Sequence, residues 1–284
     1  MWLDAQMNRP IPCITISLVP EAKRGPFVFH GALAASLRQA RASGFRAIEI
    51  FPRSAEELDE ATLRRGLDRH GLRLAALGTG AGFLTRRLHL LDPDAGRRAE
   101  AMRFISAIID RAGSFGAPAI IGSMKGSLAP GMRRAEAEAR LAEGLAELAR
   151  RAERHGTTLL LEPLNRYETN FVHNLAEGAA IIARSRAPNL RLLADCFHMN
   201  IEETSIATAL RRAGRLVGHV HLADSNRRAA GLGHTDFTAI AEALRAIGYG
   251  GFLSAEVLPL PSPAVAARRT LATFAKHFPP GASP

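Results

Sequence analysis

Four positions in the sequence place an acidic or imidazole side chain at the end of a short apolar run. They are Glu162, Asp195, His221 and Glu256, and the clearest run is the three leucines that precede Glu162. An ionised side chain is costly to bury, so a group in such a place forms an ion pair, becomes neutral or binds a metal ion. Carboxylates that lie close together repel one another, and a divalent cation removes this repulsion. The four residues together predict a site for one divalent metal ion.

The donor atoms of these residues indicate which ions fit. Carboxylate oxygens and an imidazole nitrogen, without a thiolate, suit Mn²⁺, Co²⁺, Mg²⁺ or Zn²⁺. Each acidic residue taken alone has a simpler explanation, because a carboxylate at a strand end often caps a helix or pairs with a basic side chain. His219 lies two residues before His221 on the same strand face, and we expect it to be an interior, hydrogen-bonded histidine. Glu49 has the same interpretation.

The elements that must position these residues alternate along the whole chain. Short apolar runs predict strands and longer amphipathic runs predict helices, which is the pattern of successive βα units and a parallel sheet. The predicted strands are Pro12–Leu18, Ala47–Phe51, Leu72–Leu77, Ala117–Gly122, Thr157–Leu161, Leu190–Asp195, Val217–Ala223 and Gly251–Val257. The predicted helices are Gly31–Ser43, Glu56–His70, Gly96–Phe115, Met132–His155, Leu175–Ser185, Ser205–Ala213, Asp236–Ile247 and Ser262–His277.

Eight such units predict a single (β/α)₈ TIM barrel over residues 1–284, with residues 1–11 and 278–284 as frayed ends. The alternative is an open doubly wound sheet, which usually has fewer strands and a glycine-rich first turn. In a barrel the active site lies at the carboxyl ends of the strands, where the four residues are predicted to meet. The long loop from Val19 to Phe29 lies on the same face, and we expect it to be functional.

Composition and charge argue against several classes of protein. The chain is 47% hydrophobic, enough to bury the core of one large domain. Its formal net charge of +10 comes from arginines scattered over predicted helices, so we expect no nucleic-acid partner. The sequence shows neither a secretory signal nor a membrane-spanning run. Cys13 and Cys196, the latter placed where the sixth predicted strand runs on past Asp195, are too few for a disulfide framework and predict reduced thiols in a cytoplasmic protein.

Longer segments around these residues resemble the sugar epimerase branch of the xylose-isomerase-like TIM barrels, which includes the ketose 3-epimerases. The segments are Glu162-Pro-Leu-Asn-Arg-Tyr-Glu168, Asp195-Cys-Phe-His198-Met-Asn-Ile-Glu-Glu203 and His221-Leu-Ala-Asp-Ser-Asn-Arg227. The similarity continues through Leu77-Gly-Thr-Gly80, Ile121-Gly-Ser-Met-Lys-Gly126, Gly231-Leu-Gly-His-Thr-Asp-Phe237 and Ser254-Ala-Glu256-Val-Leu-Pro-Leu-Pro261. It therefore covers nearly the whole chain from the second strand. One departure is Cys196, where close relatives have threonine.

The resemblance implies roles for seven residues. In ketose 3-epimerases the positions that match Glu162, Asp195, His221 and Glu256 hold one metal ion, and the two glutamates act as the acid/base pair. The positions that match Glu168, His198 and Arg227 contact oxygens of the substrate. The resemblance thus implies a metal-dependent epimerase, with Mn²⁺ the expected ion, that inverts C3 of a keto-sugar or keto-sugar acid through an enediolate. Relatives often form dimers or tetramers, so it also allows a homo-oligomer.

Inversion at C3 needs one acid/base group on each face of that carbon. Which of the two glutamates serves which face stays open at this point. A substrate that is an acid also needs a cationic partner for its carboxylate. Lys23, Arg24 and Lys125 are the candidates, although a basic residue of this kind is more often a solvated surface charge, and we expect that role for each taken alone.

Other functions share parts of this pattern. Aldose–ketose isomerisation and dehydration of a keto-inositol would use the same metal site. An AP-endonuclease-like DNA-repair enzyme would need further histidines at the ends of the third and fourth strands, where the sequence has Gly78-Thr79-Gly80 and Gly122-Ser123-Met124. A binding protein without catalysis would not need the complete set of glutamates.

Overall fold

The structure, a computed structural model, describes residues 9–279. Within these residues the chain forms nine strands, β1 to β9 in chain order, at Ile11–Ser17, Phe29–His30, Ala47–Phe51, Arg73–Gly78, Ala119–Ile121, Leu159–Leu161, Leu190–Asp195, Val217–His221 and Phe252–Ala255. The same described part contains ten α-helices, α1 to α10, at Leu33–Ser43, Glu60–His70, Ala81–Arg86, Ala95–Gly113, Arg134–Glu153, Leu175–Ser185, Cys196–Glu202, Ile206–Ala213, Phe237–Ala246 and Pro263–His277.

The strands form a closed parallel barrel. Along the sheet the order is β1, β3, β4, β5, β6, β7, β8 and β9, and β9 pairs back onto β1. The two-residue strand β2 is an addition that pairs only with the end of β1. Because the first and last barrel strands pair with each other, the alternative of an open sheet is excluded and the predicted (β/α)₈ barrel is confirmed.

Apolar side chains fill two layers of this barrel. Inside it, Ala76, Ile120, Leu160 and Leu193 from four successive strands pack against one another. A much larger cluster fills the space between the strands and the surrounding helices. Since alternate residues of a strand face opposite sides, the residues two positions beyond this inner layer also face the barrel axis. Glu162 and Asp195 are two such residues, so the strand geometry turns them toward one another.

Most predicted elements are present, with shifted ends that have local causes. The bounds of β3, β7 and α6 coincide with the prediction. The strand β6 begins only at Leu159 because the N–H of Thr157 donates to the carbonyl of Ala152 at the end of α5. The helix α2 begins at Glu60, four residues later than predicted, because the Asp59 side chain accepts from the N–H of Thr62 and caps it there.

Two short helices at the carboxyl end of the barrel were not predicted. The helix α3 follows β4, and α7 follows β7 without any intervening loop. Cys196 is therefore the first residue of α7, and its predicted position in a strand was wrong. Both Cys13 and Cys196 are free and buried.

The predicted frayed ends concern mainly residues 1–8 and 280–284, which lie outside the described residues. Within the described part, Ile11 begins β1, and Phe278 is buried with its ring stacked on Phe274. Across residues 9–279, no helix combines the length and the apolar character that a bilayer crossing requires.

Candidate active site and metal centre

The structure brings the four predicted metal ligands together at the carboxyl end of the barrel. Glu162, Asp195, His221 and Glu256 each offer one ligand atom, and these atoms lie within 4.8 Å of one another. Nδ1 of His221 lies 3.2 Å from Oδ2 of Asp195, 3.6 Å from Oε1 of Glu162 and 3.8 Å from Oε2 of Glu256. The imidazole nitrogen thus faces one oxygen from each of three carboxylates.

The residue that packs against the carboxylate of Glu162 has to be a glycine. A Cβ atom on Gly122, the residue after β5, would lie 2.4 Å from Oε2 of Glu162. That separation is far below any van der Waals contact, so a larger residue at position 122 would displace the carboxylate.

Asp195 uses its two oxygens for different purposes. Its Oδ1 accepts the N–H groups of Phe197 and His198, which caps α7 at its first turn. Its Oδ2 is left to face His221. The unpredicted helix α7 therefore fixes the orientation of this carboxylate.

His221 is held from behind by Glu49. Both carboxylate oxygens of Glu49 lie 3.2 Å from Nε2 of His221, and Oε2 also accepts from Nε2 of His219 at 2.7 Å. A carboxylate can only accept here, so Nε2 of His221 carries a proton and Nδ1 is the nitrogen available for a metal ion. The predictions for Glu49 and His219 as interior hydrogen-bonding residues are confirmed.

Without a cation, the negative charges of the cluster repel one another. Burial raises the pKa of Glu162 well above its usual value, and the Glu256 and Asp195 carboxylates raise it further. Burial likewise raises the pKa of Glu256. Although burial alone would lower the pKa of His221, the carboxylates of Glu49 and Asp195 outweigh it and raise this pKa well above its usual range. In the metal-free site, protons take the place of a positive ion.

These residues fit a divalent metal ion. Oε1 of Glu162 is buried and has no hydrogen-bond partner, although it lies at the centre of the cluster. Three oxygens and one nitrogen are a suitable donor set for Mn²⁺, Co²⁺, Mg²⁺ or Zn²⁺. Among the described residues a second group, Glu49 with His219 and His221, also has metal-ligand chemistry. Its donor atoms are already joined by the hydrogen bonds that hold His221, so we assign the ion to the first group.

Arg227 connects the cluster to the predicted substrate-binding residues. Its Nη1 donates to Oε1 of Glu168 at 2.8 Å and its Nη2 donates to Oε2 of Glu256 at 2.7 Å. The guanidinium lies 4.7 Å from the centre of the Phe197 ring. Burial would lower the pKa of Arg227, but Glu256, Asp195 and Glu168 outweigh it and raise this pKa, so the side chain stays charged.

His198 is a neutral hydrogen-bond donor in this structure. Its Nδ1 accepts from the side-chain amide of Asn165 at 2.7 Å and lies 3.3 Å from the backbone N–H of the same residue. The proton must then sit on Nε2, which is buried and has no partner. Burial lowers the pKa of His198 to about 4, which keeps the ring uncharged at neutral pH. His198 therefore offers one free N–H to the cavity that it lines.

Asp224 organises the loop that carries Arg227. Its Oδ2 accepts the N–H groups of Gly231 and Gly233, both at 2.8 Å, and its Oδ1 accepts those of Ser225 and Thr235. The carboxylate is fully buried among these donors. Arg227 has a φ of +58°, a conformation that costs energy for a residue with a side chain, and the loop maintains it.

All seven predicted site residues lie on one side of the molecule, and six line one cavity of about 450 Å³. The six are Glu162, Glu168, His198, His221, Arg227 and Glu256, while Asp195 lies just behind them. The loop from Val19 to Phe29 also lines this cavity, as expected from its length.

One expectation was wrong and several contributors were missed. Lys125 is not a solvated surface charge, because it is fully buried and its Nζ has no hydrogen-bond partner. Burial lowers the pKa of Lys125 to about 7. The positioning roles of Gly122, Asn165 and Asp224 were not predicted, although all three lie within the quoted segments.

The closed parallel barrel agrees with the protein family to which the sequence is similar. The xylose isomerase-like TIM barrel family matches residues 37–276. This chain belongs to that family.

Several proteins that are similar to this chain are named as epimerases or isomerases. The chain is 31% identical over 237 residues to D-psicose 3-epimerase of Agrobacterium fabrum, a match that covers 81% of this chain and 78% of that protein. It is 31% identical over 224 residues to 2-oxo-tetronate isomerase of Cupriavidus necator, covering 78% of this chain and 85% of that one. A 44% identical match with L-ribulose 3-epimerase of Mesorhizobium japonicum spans 112 residues, which are 39% of this chain and 38% of that protein.

A solved structure with the same fold is similar to nearly the whole chain. The crystal structure of D-allulose 3-epimerase from Methylomonas sp. superposes with a TM-score of 0.78 at 25% sequence identity. The match covers 95% of this chain and 98% of that one.

Replacing Glu49 should weaken metal binding, although Glu49 is not one of the four proposed metal ligands. In Glu49→Gln the charged acceptor behind His221 is lost. The proton is then no longer held on Nε2, and the orientation of Nδ1 toward the cluster is no longer fixed. Outer carboxylates of this kind typically contribute about 10- to 100-fold to metal affinity, and we expect a loss of that size for Mn²⁺ by isothermal titration calorimetry. Thr15→Val is the control, because it removes a 3.3 Å hydrogen bond to the same carboxylate and a 3.1 Å hydrogen bond to Ser254 but leaves the charge of Glu49 and its contacts with His221 in place. Equal affinities for Glu49→Gln and the native protein would contradict the assignment.

Metal binding should release protons and weaken as the pH falls. In the metal-free site the raised pKa values of His221 and Glu162 favour their protonated forms, and an ion must displace such protons. The affinity for Mn²⁺ should therefore decrease as the pH is lowered. Calorimetry in two buffers with different ionisation enthalpies measures the released protons. A heat of binding that does not depend on the buffer would count against this account.

Asp224→Asn should destabilise the fold through the Arg227 loop. The amide keeps one acceptor oxygen but cannot accept on both sides, so two backbone N–H groups lose their partner. We expect the free energy of unfolding to fall by about 1–3 kcal/mol in urea denaturation. Arg228→Ala, an exposed neighbour in the same loop, should change it by less than about 0.5 kcal/mol. Similar losses in both variants would refute the role of Asp224.

Proposed function

We propose that this chain is a metal-dependent epimerase that inverts the carbon next to the ketone, C3, of a small 2-ketose. The observation that carries the proposal is the arrangement of two glutamates, Glu162 and Glu256, from strands at different places on the rim, around one cluster of metal-ligand atoms. The names of relatives that act as D-psicose 3-epimerase, L-ribulose 3-epimerase and D-allulose 3-epimerase support the same reaction.

A metal ion would be held by Glu162, Asp195, His221 and Glu256. When bound, a divalent cation supplies Lewis-acid stabilisation of the negative charge that develops on the substrate oxygens. Mn²⁺ is the ion that we propose, with Co²⁺, Mg²⁺ and Zn²⁺ compatible with the same donor atoms.

The proton transfers belong to the two glutamates. The hydrogen on C3 is acidic because the neighbouring ketone can take up the charge as an enediolate. One glutamate removes this proton from one face, and the other delivers a proton to the opposite face, so that the configuration inverts. Each side chain must be ionised to act as a base and protonated to act as an acid.

The remaining residues orient the substrate. The free Nε2–H of His198 donates to an oxygen on the reacting part of the sugar. Arg227, charged and buried, faces the oxygen that gains negative charge and can hold it by hydrogen bonds. Glu168, paired to Arg227 and partly exposed, accepts from hydroxyl groups near C1. Each of these roles follows from the hydrogen-bonding capacity of the side chain.

Aldose–ketose isomerisation is the second candidate. The similarity to 2-oxo-tetronate isomerase favours it, because proton transfer between neighbouring carbons needs the same kinds of residue. The two reactions differ in which carbon exchanges its hydrogen, and this difference can be measured.

Glu162→Gln and Glu256→Gln should each abolish epimerisation and leave exchange at C3 in only one epimer. With one base missing, the other can still remove and return the proton on its own face, so deuterium from D₂O enters C3 of a single epimer. The two variants should label opposite epimers when followed by proton NMR, with turnover reduced by at least about 1,000-fold.

The controls separate loss of a base from loss of the metal ion. Glu242→Gln, on the exposed face of α9, should behave as the native enzyme. Metal content is measured for every variant, since both glutamates are also ligands. Full epimerisation in either variant with bound metal would rule out the two-base scheme. Deuterium at C1 or C2 without epimers would support isomerisation instead.

A further inference from the structure

The fold gathers positive charge on the face of the barrel that lies opposite the metal cluster. In a parallel barrel the flanking helices run against the strands, so each helix ends on the face where the strands begin. We call this the amino-terminal face, since the four proposed metal ligands lie at the carboxyl ends of the strands. An arginine or lysine occupies the last turn of each described helix that flanks the barrel, namely α1, α2, α4, α5, α6, α8, α9 and α10.

Helix ends alone do not account for this charge. A basic side chain near the carboxyl end of a helix is favoured by the helix dipole, so the last turns have a structural explanation. Further arginines lie outside those turns, at or just before the start of a strand: Arg46, Arg73, Arg191 and Arg215. Within residues 9–279, the connections that lead from a helix to the next strand contain no aspartate or glutamate. The amino-terminal face is therefore positive at its centre as well as at its edge.

The charge is densest where three neighbouring units of the barrel meet. The helix α6 contacts both α5 and α8, and the strands β6, β7 and β8 pair side by side. Arginines come from the ends of these helices and from the connections that follow them. We call them the basic patch, which consists of Arg150, Arg154, Arg186, Arg191, Arg212 and Arg215. Because packed helices lie about 8–10 Å apart, the patch is about 20 Å wide.

Backbone contacts fix the position of the patch. The side-chain amide of Asn189, between α6 and β7, donates to the carbonyl of Ala149 at 2.9 Å and to that of Thr157 at 3.0 Å. It thereby joins the end of α5 to the starts of β6 and β7. The guanidinium of Arg191 donates to the carbonyl of Pro188 at 2.6 Å, in the same connection. The arginines thus project from a hydrogen-bonded surface.

Carboxylates do not neutralise the patch. Within the described residues, none of its arginines forms an ion pair, whereas Asp110 beside α5 is already paired with Arg151 and His155. Glu153 is the one carboxylate in the last turns of α5, α6 and α8 and in the connections that follow them. All the arginines of the patch are exposed except Arg191, which is partly buried. The patch therefore presents its charge to solvent.

The patch lacks the apolar groups that many macromolecular partners require. Protein interfaces are anchored by buried aromatic or aliphatic side chains, and interfacial membrane helices bury an apolar face. The large hydrophobic side chains exposed in residues 9–279 are Leu84, Tyr167 and Leu260. Each follows the carboxyl end of a strand, so all three lie away from the patch. An arginine surface without such anchors suits a partner that offers a regular row of phosphates.

Among nucleic acids, these features favour a duplex of the B form. Proteins hold single strands by stacking bases on aromatic side chains, and the patch contains none. Double-stranded RNA is recognised largely through its shape and its 2′-hydroxyls across the minor groove, which arginines alone do not select. The phosphates of duplex DNA, in contrast, are bound by basic side chains without any contact to the bases.

We propose that the basic patch binds the backbone of duplex DNA without sequence preference, on the face opposite the metal cluster. The sequence alone predicted no nucleic-acid partner because these arginines lie far apart along the chain, whereas the fold brings them together. The binding is independent of the proposed epimerase function, since the patch and the metal cluster share no residue.

Fluorescence anisotropy with a labelled duplex of mixed sequence, about 24 base pairs long, measures this binding. The full chain, loaded with metal and freed of excess ions, is titrated at a series of NaCl concentrations. Each phosphate contact releases counterions, so we expect the affinity to fall by about 1,000-fold between about 50 and about 200 mM NaCl if the whole patch takes part. Absence of binding at about 50 mM NaCl would overturn the proposal, and so would an affinity that does not depend on salt.

Paired substitutions separate the patch from the net charge of the chain. Arg186→Gln with Arg215→Gln removes two charges from the patch, and Arg24→Gln with Arg133→Gln removes two exposed arginines from the opposite face. The first pair should weaken binding at least about tenfold and lower the salt slope by about 2, because two phosphate contacts are lost. The second pair should change the affinity by less than about threefold. Equal losses in the two pairs would reduce the effect to net charge and overturn the patch.

The fold and the choice of partner have their own controls. Both pairs should keep the native melting temperature and the native affinity for Mn²⁺, because the metal ligands lie at the other end of the barrel. Arg154→Gln with Arg212→Gln is a second patch pair that should weaken DNA binding equally, and it replaces the first pair if that one is unstable. Duplex RNA of the same length and vesicles containing phosphatidylserine are compared at equal phosphate concentration. Tighter binding of either one than of DNA would overturn the choice of partner.

Discussion

The mutual repulsion of three buried carboxylates is the constraint on which the rest of this site depends. Glu162, Asp195 and Glu256 each place an oxygen within 4 Å of one nitrogen of His221, and these side chains are largely buried, so water screens their charges weakly. Such an arrangement is unfavourable unless positive charge is supplied. The raised pKa values of Glu162 and His221 reflect the same preference for added positive charge. A divalent cation would supply that charge, and in the proposed reaction it would also stabilise the negative charge that develops on the substrate.

The fold resists this repulsion with groups that surround the cluster but do not join it. Glu49 holds the far side of His221, the first turn of α7 holds one oxygen of Asp195, and Arg227 holds one oxygen of Glu256. Asp224 in turn fixes the loop that carries Arg227. Each of these contacts joins different elements of the barrel, so the cluster cannot relax by moving one strand. These contacts therefore hold the ligand atoms in a geometry that suits a cation.

The sequence allowed the barrel and the central site residues to be predicted because both depend on local patterns. Alternating apolar runs identify strands, and polar residues at successive strand ends must meet on one rim. The positioning residues depend on long-range contacts that no spacing reveals: Glu49 reaches His221 across 172 positions, and Asn165 reaches His198 across 33. Lys125 was misjudged because burial of a lysine cannot be read from its neighbours in sequence. The helix α7 was missed because capping and metal binding were treated as alternatives for Asp195, whereas one of its oxygens caps the helix and the other faces His221.

The most direct test of the account is the position of the metal ion itself. Crystals grown with Mn²⁺ can be measured at a wavelength where manganese scatters anomalously. The account predicts one strong peak at about 2.2 Å from Nδ1 of His221 and from an oxygen each of Glu162, Asp195 and Glu256. A peak among Glu49, His219 and Nε2 of His221 would contradict it. So would the absence of any peak while the four side chains keep their places.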